Sequence, residues 1–439
     1  MGVPQVFSIL GLGFGDEGKG HFTHLLARRL GAHTIVRFNG GAQAGHNVVL
    51  EDGRHHTFAQ FGSATFTPGV VTVLAHPVVV HPTALLIEAE HLARVGVQDA
   101  LARLRVDPRC RVNTPFHQAA GRLREFARGA SKHGTCGVGV GETVRCNLAR
   151  PEDTLRFEDL RRPARAQEKL ELLRRRLWEE WRGWNPPPGA EAELETLQDP
   201  GISTRWLAWV QDLLRQIPDA GPDPLAERLR VPGTLLFEGA QGLLLDEWRG
   251  FHPHTTWSSP TPQAVDALVA ESGLAVPVRH LGALRSYLTR HGTGPMPTED
   301  PALDGLPEPH NADVGWQGRF RRGQPDGVLA AYAAAVGGPL DGLLLSHLDV
   351  FDRGLSLRWC EAYETAEGCM ERLPLSPGPD LLHQERLTQL LRGARPCWSQ
   401  EQFTAPEALI SRLEAAFDCP VRIGSWGPCQ AHELARLSS

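Results

Sequence analysis

The sequence predicts an α/β protein: a central, largely parallel sheet with helices on both sides and long loops that carry function. Three observations lead there. The first forty-six residues read as strand, glycine-rich turn, helix and strand, at residues 6–10, 11–20, about 21–30 and 34–38, which is one βαβ unit. Short apolar blocks recur at 70–74, 78–80, 235–237 and 343–349 with little polar alternation, the pattern of strands buried on both faces. Amphipathic helical runs lie between them, at 82–94, 166–181 and 202–217, and residues 113–129 form a basic, helix-like stretch. A length of 439 residues suits two or three domains, but large α/β folds of this size also occur as one unit. The expectation is a single domain over 1–439, mostly helical between 151 and 232.

The glycine-rich turn carries the chemistry. Five glycines in residues 11–20 let backbone N–H groups crowd a phosphate with no Cβ in the way. One carboxylate, Asp16, and one ammonium, Lys19, stand among them, and the chain holds only three lysines, Lys19, Lys132 and Lys169. Two general motifs overlap here and neither fits. Residues 13–18 match G-x-G-x-x-G, but the acid expected after the second strand is replaced by Arg37 and Asn39. That argues against an NAD-dependent oxidoreductase. Residues 13–19 match the start of a P-loop, but Gly20 stands where a Ser or Thr should hold Mg²⁺. Another group must then ligate the metal, and Asp16 is the nearest candidate.

Composition narrows the class. Apolar residues make 41% of the chain and charged residues 22%, as in soluble globular proteins. A net charge of −6 argues against nonspecific nucleic-acid binding. No basic leader and no apolar stretch of spanning length is present, so a cytoplasmic protein without membrane association is expected. The eight cysteines form no C-x-x-C pair and read as reduced thiols. The tryptophans at 178, 181 and 184 fall at near-helical spacing and read as core or interface.

Residues 15–20, Gly-Asp-Glu-Gly-Lys-Gly, followed by Val36-Arg-Phe-Asn-Gly-Gly and Ala44-Gly-His46, resemble the adenylosuccinate synthetase family. Phe237-Glu-Gly-Ala-Gln-Gly242, the run from Ser286 through Glu299, and Gly424-Ser-Trp-Gly-Pro428 extend the resemblance over nearly the whole chain. It implies that family's fold, related to P-loop NTPases, and a ligase joining IMP to aspartate with GTP and Mg²⁺ in purine biosynthesis. It implies catalytic roles for Asp16, Lys19, His46 and Gln241, and metal binding by Asp16 and the Gly45 carbonyl. Nucleotide contacts fall on Gly15, Glu17, Gly18, Gly20, Gln43, Thr135, Cys136, Thr256 and Arg321. The base site falls on His347, Leu348, Asp349, Ser425, Trp426 and Gly427. Arg150 matches an arginine that reaches into the partner subunit's IMP site, which implies a homodimer with composite sites. Gln317, Gly318, Arg319 and Arg321 match the segment that holds the aspartate carboxylates.

Elementary chemistry agrees at several of these places. An acid such as Asp349 can accept the N1 and N2 hydrogens of guanine. Gln241 offers a donor and acceptors to a purine edge. Arg319, Arg321 and Arg322 make an anion site, or else a solvated basic loop. The glycine loop 134–141 reads as a second phosphate contact or a hinge. Departures from the family pattern cluster near the acceptor. Gln43 replaces an Asn, Cys136 a Thr, Glu142 a Pro, His347 a Lys, Trp426 a Thr, and Trp316 and Gln317 a Thr pair. Cys136 lacks a good hydroxyl donor and Glu142 adds negative charge, so the second glycine loop should suit a phosphate less well. Two rivals follow: a paralogue using the same chemistry on another purine-like nucleotide or amino acid, and a non-catalytic nucleotide-binding regulator. Retention of Asp16 and His46 argues against the second, because binding alone needs no acid–base pair.

Overall fold

The strand Gln5–Gly11 is buried along all but its first residue, because QVFSILG presents apolar side chains to helices on both faces of the sheet. In the computed structural model, which describes residues 4–311 and 315–435, this strand is central in a nine-stranded sheet. From one edge the order is Ala431–Glu433, Val421–Ser425, Gly342–Ser346, Val278–Arg285, Gln5–Gly11, Thr234–Gly242, Ala32–Arg37, Val71–Leu74 and Leu104–Val106. Every neighbouring pair is parallel except the edge pair Val421–Ser425 with Ala431–Glu433. The predicted fold class is therefore borne out. Parallel strands deliver their carboxyl ends to one edge, where α/β proteins bind ligands.

Helices fall where the periodicity puts them. Pro82–Arg94 has its predicted bounds, and the stretch at 113–129 is the helix Pro115–Arg128, opened by Thr114, whose hydroxyl accepts the His117 N–H at 3.3 Å. Between 151 and 232 the longer helices are Pro163–Trp181, Glu191–Gln198 and Gly201–Gln216. Pro163–Trp181 buries Ala166, Leu170, Leu173, Leu177 and Trp181, one stripe at three- and four-residue spacing. Trp181 joins the core there, with Trp178 and Trp184 packed against it, so the tryptophan cluster is core.

Two regions differ from expectation. The apolar run at 343–349 forms a strand only to Ser346, because His347 adopts φ 60° and turns the chain; Asp349 instead opens the short helix Asp349–Asp352. Residues 357–403 carry an antiparallel sheet of Leu357–Thr365, Gly368–Met370 and Arg395–Phe403 that the sequence did not announce. Among the described residues no helix is long and apolar enough to cross a membrane.

Candidate active site

The loops leaving the strand ends enclose a cleft of about 920 Å³, at the upper end of the range for small-molecule sites. The glycine loop forms its floor. Gly15, Asp16 and Gly18 take positive φ of 99°, 62° and 85°, a region that costs a non-glycine residue about 1–2 kcal/mol and that Asp tolerates better than most. Glu17 holds this shape from beneath. One carboxylate oxygen accepts the Gly13 and Gly15 N–H groups at 3.0 and 2.8 Å, and the other meets Lys19 Nζ at 2.5 Å. Glu17 and Lys19 are both buried, whereas the Asp16 carboxylate is a quarter exposed to the cleft, with His291 Nε2 at 3.8 Å. Gly20 fits by close approach: a Cβ there would lie 2.7 Å from that of His46. The helix thus starts against the second loop, at the position where a P-loop would carry a hydroxyl.

His46 sits at the start of the strand His46–Val49, its Nδ1 2.5 Å from Glu238 Oε1. Glu238 is fully buried and also takes the Ser63 N–H at 2.9 Å and the Ser63 hydroxyl. Burial, reinforced by the charge of Arg37 and opposed by Glu238, lowers His46 to about 4. Burial pushes Glu238 up, but His46, Arg37 and the Ser63 hydroxyl together hold it below the ordinary glutamate value. In the free protein His46 is therefore neutral and donates its Nδ1 proton to an ionised Glu238. Gln43 and Gly45 border the cleft beside it, and Gln43 Oε1 is buried with no partner among the described residues. Gln241, at φ 60°, closes this side, and its Oε1 lies 3.4 Å from Ser258 Oγ.

Thr135, Cys136 and Thr256 line the next wall. Burial raises the Cys136 thiol, so it is protonated at neutral pH. Glu142 does not border the cleft; Arg124 at 2.8 Å and Arg145 at 2.5 Å hold its carboxylate, so its charge is not presented to a ligand. At the far end stand His347, Asp349, Ser425 and Gly427. Burial pushes His347 well below its usual value, leaving a neutral ring edge-on to Tyr287. Asp349 is bonded to Arg353 at 3.1 Å. Leu348 and Trp426 lie behind this wall: Leu348 is buried with its N–H on the Ser425 carbonyl, and Trp426 packs against the apolar core.

The arginine loop is arranged differently. Trp316 and Gln317 line the cleft, but Gly318, Arg319 and Arg321 do not. Arg319 pairs with Asp304 at 2.7 Å and Arg321 with Glu299 at 2.7 Å, while Arg322 donates to the Leu306 carbonyl at 2.9 Å. Trp316 packs edge-on against Phe126 and over Gly137, where a Cβ would come within 2.6 Å of the indole. Arg150 is exposed, away from the cleft, and its side chain has no partner among the described residues. Sequence reasoning missed Glu238, Arg285, Arg290, His291 and Glu308, all at the cleft or directly behind it. A charged residue at the carboxyl end of a buried strand was the available signal for Glu238 and Arg285.

A family profile described as Adenylosuccinate synthetase matches residues 8–433. The adenylosuccinate synthetase of Alkalilimnicola ehrlichii is 34% identical over 96% of this chain and 95% of its own length. That of Neisseria meningitidis serogroup A is 30% identical over 96% of each. Among solved structures, the fully ligated adenylosuccinate synthetase from Plasmodium falciparum superposes with a TM-score of 0.77 at 21% identity, covering 97% of this chain and 98% of that one. Cyanophage S-2L succinoaminodeoxyadenylate synthetase, bound to dGMP and dATP as an energy donor, gives 0.58 at 19% identity, covering 99% and 97%. Both structural likenesses speak to the fold.

Proposed function

The chain belongs to the adenylosuccinate synthetase family, and from that premise we propose that it is a GTP-dependent carbon–nitrogen ligase joining IMP and L-aspartate into adenylosuccinate, in purine nucleotide biosynthesis. The observation that carries this reading is the acid–base arrangement: an outward Asp16 over a buried Glu17–Lys19 pair, and His46 backed by Glu238, on one cleft.

In the first step the Asp16 carboxylate takes the N1 proton of IMP, and the 6-oxygen attacks the γ-phosphorus of GTP. The β,γ-bridging oxygen leaves with GDP. His46, on the same cleft, would hydrogen-bond that oxygen. Its Nδ1–H is committed to Glu238, so Nε2 takes up a proton from solvent as the nucleotide binds, and the nearby phosphate charge favours the imidazolium that Glu238 stabilises. Lys19 and the loop N–H groups stabilise charge that grows on the transferring phosphoryl group. In the second step the aspartate amino nitrogen attacks C6 of 6-phosphoryl-IMP, and phosphate departs with the former 6-oxygen. Gln241 holds the purine edge; Gln43, Thr135, Cys136 and Thr256 hold the IMP phosphate; His347, Asp349, Ser425 and Gly427 hold the guanine.

The donor set suits Mg²⁺. That ion takes one or two protein oxygens and completes its shell with water and phosphate, which agrees with an Asp16 carboxylate a quarter exposed to the cleft. Asp16 and the Gly45 carbonyl would hold it, and when bound it would neutralise charge on the phosphate donor. Arg150, whose side chain has no partner among the described residues, supports a homodimer with shared sites, and the family membership supports a cytoplasmic location; a purely monomeric particle in sedimentation at assay concentration would sink the homodimer.

One observation favours the paralogue reading for the amino acid. Arg319 and Arg321 are taken by Asp304 and Glu299, and Trp316 fills a wall. Phosphate release with IMP, GTP and a panel of amino acids decides. Turnover with aspartate is expected; no turnover with aspartate, but turnover with another amino acid, would transfer the assignment to the paralogue.

A further inference from the structure

Four cationic side chains border the cleft among the described residues: Lys19, Arg285, Arg290 and Arg353. Three are answered within the loop or helix that carries them or by main-chain carbonyls. Glu17 lies under the loop beside Lys19, two main-chain carbonyls hold Arg290, and Asp349 binds Arg353 one helical turn away. Arg285 is the exception: its counter-ion Glu308 is 23 residues away, outside any helix or strand, and like Glu17 and Asp349 it borders the cleft.

Arg285 ends the strand Val278–Arg285, beside the central strand, at the edge where the phosphate loop turns. Its guanidinium is fixed from one side by Tyr287, over whose ring it lies at 4.4 Å and whose hydroxyl it meets at 2.5 Å. Its Nε is buried and has no partner among the described residues. Asp16 and Asp349, both on the cleft, are among the charges acting on it. Glu308, by contrast, sits in a connecting segment between the short turn Pro301–Leu303 and the strand Phe320–Gly323, outside any helix or strand. Tyr287 at 3.3 Å and Asn311 at 3.2 Å are its other side-chain contacts. A rigid cation with an unused donor, neutralised by an acid on a loop, is built to exchange that acid for another anion.

We propose that Arg285 is a further binding residue for the phosphate donor, holding its polyphosphate oxygens, and that Glu308 is the counter-ion displaced when they arrive. The inference rests on the reading of the cleft as a GTP site. It makes Glu308 a competitor of the nucleotide, which a merely structural ion pair is not.

Calorimetric titration of GTP and of guanosine into the full-length protein separates the cases, with Arg285→Met, Arg285→Lys and Glu308→Gln each checked by thermal melting. Arg285→Met should weaken GTP at least ~10-fold, the scale of a hydrogen bond to a charged group, and leave guanosine within about twofold. Arg285→Lys should recover part of the loss. Glu308→Gln should tighten GTP a few-fold. Weaker GTP binding in Glu308→Gln, or equal losses for GTP and guanosine in Arg285→Met, would overturn the proposal in favour of a structural pair. Unchanged GTP affinity in both variants would overturn it while leaving the GTP reading intact; no GTP binding by the wild-type protein would overturn both.

Discussion

Both the glycine loop at residues 11–20 and the arginine loop at residues 316–322 gather charge, but they dispose of it in opposite ways. Beneath the glycine loop, Glu17 pairs with Lys19 out of water and takes the Gly13 and Gly15 N–H groups, while Asp16 is left for the cleft. In the arginine loop the cations themselves are consumed, at the periphery, by Asp304 and Glu299, and Trp316 rather than a guanidinium meets the cleft. The difference is one of counter-ion placement. An acid behind a loop fixes its shape and spares its outward groups, whereas acids beside a loop compete with the ligand for its cations.

The sharpest way to break this contrast is to neutralise one acid in each region. Glu17→Gln leaves the Lys19 ammonium buried without a counter-ion and strips charge from the acceptor of two loop N–H groups. Breaking a buried pair in this way costs about 3–5 kcal/mol, readable as a large drop in the denaturation midpoint. Glu299 is a third exposed, so Glu299→Gln should change stability by less than about 1 kcal/mol. Comparable losses in the two variants would erase the distinction.

Next in size is the catalytic pair. Asp16→Asn and His46→Asn should each keep nucleotide binding and lose at least ~100-fold in kcat, measured by steady-state phosphate release with parallel binding titrations. Near-wild-type turnover in either variant would refute the assignment. On the other side of the contrast, aspartate must displace Glu299 and Asp304 to reach the arginines. Its KM should stand roughly tenfold above that of a site with free arginines and two extra hydroxyl donors, and Glu299→Gln should lower it a few-fold. A KM unchanged by Glu299→Gln would mean that the arginines do not serve the amino acid.

Acid should destabilise the fold through its buried histidines, His46 among them. His46 titrates at about 4 in the folded protein, against an ordinary histidine value of 6.5 once the chain unfolds. The unfolded chain therefore binds more protons between those values, and stability falls as pH is lowered through that window. His117, likewise lowered to about 4 chiefly by burial, acts in the same direction. Denaturation midpoints should therefore drop from pH 7 to pH 5, with a shallower slope in His46→Asn. An unchanged slope would place the acid sensitivity elsewhere.

What could be read from sequence follows the same division. The glycine loop was legible because its constraint is local: positive φ at Gly15 and Gly18 demands glycine, and Asp16 and Lys19 stand among them. Glu238 was not, since its tie to His46 joins residues 192 positions apart. The arginines could be seen, but their direction could not, because it is set by Glu299 and Asp304 across the strand pair Leu288–His291 and Phe320–Gly323. The parallel strands were visible as apolar blocks. Leu357–Thr365, with polar and exposed positions mixed into its buried ones, was not. Leu348 continued an apolar run and concealed the turn that His347 makes.

The central claim is that the 6-oxygen of the purine nucleotide, activated by Asp16, is phosphorylated before the amino acid attacks. The most direct measurement is to supply IMP labelled with ¹⁸O at position 6, with GTP and aspartate, and to analyse the released phosphate by mass spectrometry. Each phosphate formed with product should carry one ¹⁸O derived from IMP. Unlabelled phosphate accompanying product would contradict the account.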